Sequence, residues 1–160
     1  MYRITVLHEI MTKEQILENF DPSQPGLADA TIFGLPFSAE QSEIIVIPVP
    51  WEVTVSYGSG ASKGPDAVLD ASFQVDLNHQ EFPELWKLGI YIDKPAKELK
   101  KKSKKFKKQA APIIKALESG MILDHHPSLM KDLEEINHAC SDMVEAVREQ
   151  TLNWMNQGKK

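Results

Sequence analysis

The chain has 160 residues, 42% of them hydrophobic and 26% charged, with a formal charge of −5 at neutral pH. That balance fits a globular protein large enough for one substantial core, and no stretch approaches the ~20 apolar residues of a bilayer span. Cys140 is the one cysteine, so an internal disulfide is excluded. With no apolar signal-peptide core in Met1 to Glu9, the chain reads as a cytoplasmic protein of a reducing compartment.

Taken in order, Thr12 to Phe20 predicts a short helix. Thr12 is its N-cap, Gln15 stands at the capping-box position, and Ile16, Leu17 and Phe20 form the apolar edge. Asp21 to Gly26 is a loop by composition. Leu27 to Gln41, with Gly34 and Pro36 inside it, is expected to hold little regular structure. Residues 1–41 therefore read as an N-terminal extension packed on a domain formed by residues 42–160.

Ile44 to Ile47 is an unbroken β-branched run, the pattern of a strand buried on both faces in a parallel sheet. Pro48 and Pro50 end it, because proline cannot donate to a ladder. Gly58, Gly60 and Gly64 mark a long turn, and Gly64-Pro65 opens a helix with proline near its favoured first position. Strand, glycine-rich loop and helix make the first half of a βαβ unit. Phe73 to Pro83 is a connector, and Leu85 to Ile92, with Gly89 inside it, is expected to be a second strand.

Eight lysines lie between Lys97 and Lys108. Leu99, Phe106, Ala110, Ile113, Ile114 and Leu117 are threaded among and beyond them at helical intervals. The pattern is the solvated face of an amphipathic helix lying on a sheet. No aromatic platform accompanies the lysines, so neither nucleic acid nor a membrane is an expected partner. This helix should stop at Ser119-Gly120, and Pro112 should kink it or divide it in two. Pro127 then starts a long amphipathic helix. Its apolar residues, Leu129, Leu133, Ile136, Cys140, Met143, Val144, Val147, Leu152 and Met155, recur at three- and four-residue steps. Gly158 is its C-cap, and Trp154 is assigned to packing.

Several side chains invite a chemical role. Asp76 and His79 have the spacing of a ligand pair, but no second pair supports them, and a surface loop accounts for both. Asp93 stands just past a strand end, where ligands collect in open α/β sheets; a turn-forming role before Lys94-Pro95 is the simpler reading. His125 and His126 adjoin Asp124. Catalytic metal sites draw ligands from separated positions, and neighbouring histidines on a loop rarely converge. His138, in mid-helix, has no evident partner and is taken as structural.

One ordered series goes further. Val49-Pro50-Trp51, Thr54-Val55-Ser56-Tyr57, Gly60, Gly64-Pro65-Asp66-Ala67 and Ala71-Ser72 together resemble the N-terminal signature of the arginase/agmatinase (ureohydrolase) family. Val68-Leu69-Asp70 departs from it, where many relatives have an apolar residue followed by arginine. The resemblance implies an arginase-like α/β fold, three-layer α/β/α with a mainly parallel sheet, partial in this chain. It also implies hydrolysis of C–N bonds in linear amidines, as in agmatinase, arginase or formimidoylglutamase. Two manganese ions, held by His and Asp, supply hydroxide by lowering the pKa of bound water. A small guanidino or formimino substrate and a homo-oligomeric assembly follow by the same analogy. The loop from Trp51 to Gly60 would rim the active site, with Trp51, Thr54, Ser56 and Tyr57 within reach of substrate.

The family's ligand motifs are a Gly-Gly-Asp-His-like turn, an Asp-x-His-x-Asp segment and an Asp-x-Asp segment, and this sequence contains none of them. The expectation is therefore an N-terminal portion that holds no catalytic residue and no metal, and that is inactive as these 160 residues. The alternative is a non-catalytic α/β domain for oligomerisation or protein binding.

Overall fold

The computed structural model describes residues 11–26, 30–55 and 58–160. They form a mixed α/β structure in two compact units. One comprises Met1–Pro48, Asp66–Lys94 and Leu152–Lys160; the other comprises Val49–Pro65 and Pro95–Thr151. Among the described residues no helix is long and apolar enough to cross a membrane.

The first unit opens with helix α1, Lys13–Asn19. Its capping box is complete: Gln15 N–H donates to Thr12 Oγ1 at 3.3 Å, and Thr12 N–H donates to Gln15 Oε1 at 2.9 Å, satisfying two donors that the helix leaves orphaned. Ile16 buries its side chain with Leu35, Phe37 and Trp86, and Leu17 and Phe20 pack around them. The expectation of little regular structure from Leu27 to Gln41 underrates that segment. A 3-10 helix, Ile32–Gly34, lies within it, and Ile32, Leu35 and Phe37 are among the most deeply buried side chains described. Its backbone departs from the usual regions, at φ +62° for Phe33 and +67° for Gly34, so no period-2 or period-3.6 pattern betrays the burial.

Strand β1, Ile44–Val46, pairs in parallel with β2, Ile90–Ile92, Ile44 standing opposite Ile90. The second strand is thus shorter than expected. Leu85–Leu88 is instead a 3-10 helix that carries the buried Trp86. Gly89 breaks the two apart at φ +74°, and a Cβ there would stand 2.9 Å from the Cα of Ser42. Only glycine combines that backbone angle with so close an approach. Lys160 lies along the other edge of β1. Its N–H donates to the Glu43 carbonyl, and its own carbonyl accepts from Ile45 N–H, both at 2.9 Å. This is the bond pair of a parallel partner centred on Ile44, so β1 is flanked on both sides.

Helix α2, Gly64–Ser72, starts at the expected glycine–proline pair. The second unit is built on helix α3, Leu99–Glu118, and on helix α4, Pro127–Asn156, whose last residues belong to the first unit. Phe106, Ala110 and Ile113 of α3 meet Ile136 and Ala139 of α4 and Val53 of the glycine-rich loop in one cluster. The buried face of α3 therefore packs on a helix and a loop, not on a sheet. Gln109 Nε2 donates across to Asp132 Oδ1 at 2.8 Å and Glu135 Oε2 at 2.9 Å. α3 ends as expected: Gly120 at φ +77° lets Gly120 N–H reach the Leu117 carbonyl and Met121 N–H the Ala116 carbonyl, a Schellman cap. The same pair of bonds, to Met155 and Trp154, closes α4 at Gly158. Pro112 does not divide α3, which runs through it as one helix.

Candidate functional site

The glycine-rich loop is anchored residue by residue in the second unit. Trp51 N–H donates to the Val49 carbonyl at 2.8 Å, a tight turn between and beyond the two prolines. The Trp51 side chain is half-buried against the α3–α4 cluster, and Val53 is buried in it. Between them, Glu52 N–H donates 2.8 Å to Ser103 Oγ on α3, a hydroxyl that is itself buried. Thr54 and Val55 are exposed. Ser56 and Tyr57, the other two expected rim residues, lie outside the described residues.

The Glu52 carboxylate is the electrostatic centre of this loop. Its side chain is 2% exposed, yet it is fully partnered. Oε1 accepts from Ser59 Oγ at 2.9 Å and from Lys107 Nζ. Oε2 accepts from Gly60 N–H, Ser62 N–H and Ser62 Oγ, each at 3.0 Å. Lys107 also donates to Ser59 Oγ, so three of the groups form a closed ring. The Lys107 ammonium first, then the Ser62 amide, the Ser59 hydroxyl and the Gly60 amide, hold the Glu52 pKa well below the usual carboxylate range, against the opposing effect of burial. Gly60 adopts φ +142°, which presents its N–H to the carboxylate at an angle that L side chains rarely adopt.

Neither Glu52 nor Lys107 stands out in the sequence by any motif. Two quieter signals were there. Glu52 is the lone carboxylate between Ile44 and Lys63, and a charge inside such a run needs a partner. Lys107 falls four residues after Ser103 and beside Phe106, on the buried side of α3, so it shares a face with the groups that hold the loop. The other lysines of the run on α3 (Lys100, Lys101, Lys102, Lys104, Lys105 and Lys108) are exposed, as the amphipathic pattern requires.

The remaining candidates have other hydrogen-bond partners. Asp76 Oδ1 accepts from Asn78 N–H at 2.8 Å, and His79 Nδ1 accepts from Glu81 and Phe82 N–H at 3.3 and 3.2 Å. Both side chains thus cap a local exposed turn. Asp93 Oδ1 accepts from Lys94 N–H at 2.7 Å, the turn role expected of it. Its Oδ2 accepts from Trp154 Nε1 at 2.6 Å, so Trp154 is also a polar tether. Asp124 and His125 are exposed in a 3-10 helix, Leu123–His125, with His126 just after it. His138 does have a neighbour: its Nδ1 lies 3.3 Å from Asp142 Oδ1, one helical turn on, with the imidazole 81% exposed. Among the described residues no three His, Cys, Asp or Glu side chains come together as a metal-binding group. The manganese pair implied by the family resemblance therefore has no donor set among them.

A 60-residue stretch, 36% of the chain, is 38% identical to the N(1)-aminopropylagmatine ureohydrolase of Synechocystis sp.. It spans 20% of that relative's length. No family model matches the chain, and no solved structure does. Together with the short parallel sheet and its glycine-rich loop, the likeness supports a ureohydrolase-type relationship.

Proposed function

We propose that this chain is the N-terminal segment of a ureohydrolase-like, metal-dependent hydrolase of C–N bonds in linear amidines. The observation that carries the proposal is the 38% identity over 60 residues to an N(1)-aminopropylagmatine ureohydrolase. The substrate class is a small guanidino or formimino compound, and an aminopropylated agmatine stands beside agmatine, arginine and formiminoglutamate as a candidate. In this reading residues 42–160 begin an arginase-like three-layer α/β/α domain with residues 1–41 packed on it. The loop carrying Trp51, Thr54, Ser56 and Tyr57 rims the substrate site, and the two manganese ions are held by residues outside these 160. The whole protein is a cytoplasmic homo-oligomer.

The test is protein-dependent release of urea from the three guanidino compounds, or of formamide from formiminoglutamate, with manganese present. The protein as its source cells make it should release urea from at least one guanidino compound, and the 160-residue chain alone should release none. Activity of the 160-residue chain would overturn its assignment as an inactive segment. A second reading, a non-catalytic binding domain, is favoured by the exposed Leu117, Met121 and Ile122, which lie within six residues at and just past the end of α3, since neighbouring exposed apolar residues mark association surfaces. A discrete metal-free dimer or hexamer by light scattering, with no activity in the native protein, would favour that reading.

A further inference from the structure

We propose that Glu52 is the positioning residue of the glycine-rich loop, a buried carboxylate that ties Ser59, Gly60 and Ser62 to α3 through Lys107 and so fixes how Trp51 and Thr54 are presented. The proposal rests on the preceding reading for what the loop touches, and on geometry alone for how it is held. Backbone and side chain of Glu52 face opposite tasks. The backbone N–H is fastened to Ser103 and the side chain to Lys107, four residues apart on one face of α3. The carboxylate then gathers two backbone amides and two hydroxyls from the far end of the loop. One residue thereby closes the two ends of the loop on each other and docks both on a helix. Val53 adds the apolar contact, buried among Phe106, Ala110 and Ile113.

A structural filler would not need this chemistry. The ionised form fits this setting, because each oxygen faces a group that can only donate, the Lys107 ammonium at Oε1 and the Gly60 and Ser62 amides at Oε2, and an amide nitrogen in either place would present hydrogens to one of them. Lys107 supplies the counter-charge that a buried carboxylate requires. The arrangement is also specific in length. Aspartate at position 52 would withdraw the carboxylate by one methylene from donors that already lie at 2.9–3.0 Å.

The test uses Glu52→Gln, which keeps the shape and removes the charge, with Lys107→Met and Ser62→Ala as milder variants should the first fail to fold. Amide hydrogen exchange is read residue by residue on the 160-residue chain. In Glu52→Gln, Gly60 and Ser62 amides should exchange roughly tenfold faster or more, as local opening predicts, while Ala110 and Ile113 of α3 keep their protection. Lys107→Met should accelerate the same two amides, and Glu52→Asp should fail to restore them. Unchanged exchange at Gly60 and Ser62 in Glu52→Gln, or in the two milder variants if it does not fold, would overturn the proposal. In the native enzyme, Glu52→Gln should raise KM with kcat little changed, since loop order serves binding; an unchanged KM alongside a loosened loop would overturn the presentation of Trp51 and Thr54. A native protein inactive on every guanidino compound would overturn the hydrolase reading alone, and the exchange rates still decide this one.

Discussion

The chemistry of the loop turns on one ionised glutamate. Five donors converge on Glu52 and its folded pKa is depressed, so the ionised form belongs to the folded state. The sign follows by linkage: the contribution is fully present above the unfolded carboxylate pKa, near 4.3, shrinks as pH falls below it, and vanishes below the folded value. Glu52 should therefore remain ionised at about pH 3, where a free glutamate is mostly protonated, as read by the carboxyl carbon shift during an acid titration. Below about pH 4.3 the wild-type chain should also lose stability faster than Glu52→Gln. A carboxyl that titrates at the ordinary value would mean the five donors do not act on it together. The residue was hard to find beforehand because its meaning depends on partners seven to fifty-five positions away, and spacing rules see only neighbours. Thr12 and Gln15 are the opposite case. Their capping box closes within four residues, so the letters alone disclose it.

At the scale of elements, local signals and tertiary ones part company in the same way. The ends of α3 and α4 were legible because Gly120 and Gly158 supply the left-handed residue that a Schellman cap needs. The break between Leu88 and Ile90 was not, since Gly89 inside an apolar run reads equally as a strand residue until Ser42 and Phe37 are seen pressing on it. The buried stretch Ile32 to Phe37 was missed for want of any period. Pro112 was expected to kink α3 or divide it, and the helix is not divided there. The ring lacks the N–H that would otherwise bond the Lys108 carbonyl, so the helix carries a local penalty on an exposed position. Pro112→Ala should accordingly stabilise the chain, by up to about 2 kcal/mol once the greater freedom of the unfolded alanine chain is set against the restored bond. Chemical denaturation would register this as a higher midpoint at unchanged slope; a lower midpoint would mean that the ring itself is needed by its surroundings.

At the scale of the whole molecule, the mixed α/β character was visible in one strand–loop–helix series, and β2 pairs with β1 in the parallel sense expected. The loop's ordered series of residues resembles the ureohydrolases, and the 60-residue match to one such enzyme agrees with that resemblance. Among the described residues no three His, Cys, Asp or Glu side chains come together as a metal-binding group. The proposed hydrolase reading places the metal ligands outside these 160 residues, in the protein that the source cells make. Native mass spectrometry of that protein is the most direct measurement. The account predicts a subunit well above the 18.0 kDa of these 160 residues, carrying bound manganese and assembled into a homo-oligomer. A subunit of 18.0 kDa with no metal would contradict it, and would leave a binding domain in place of a hydrolase.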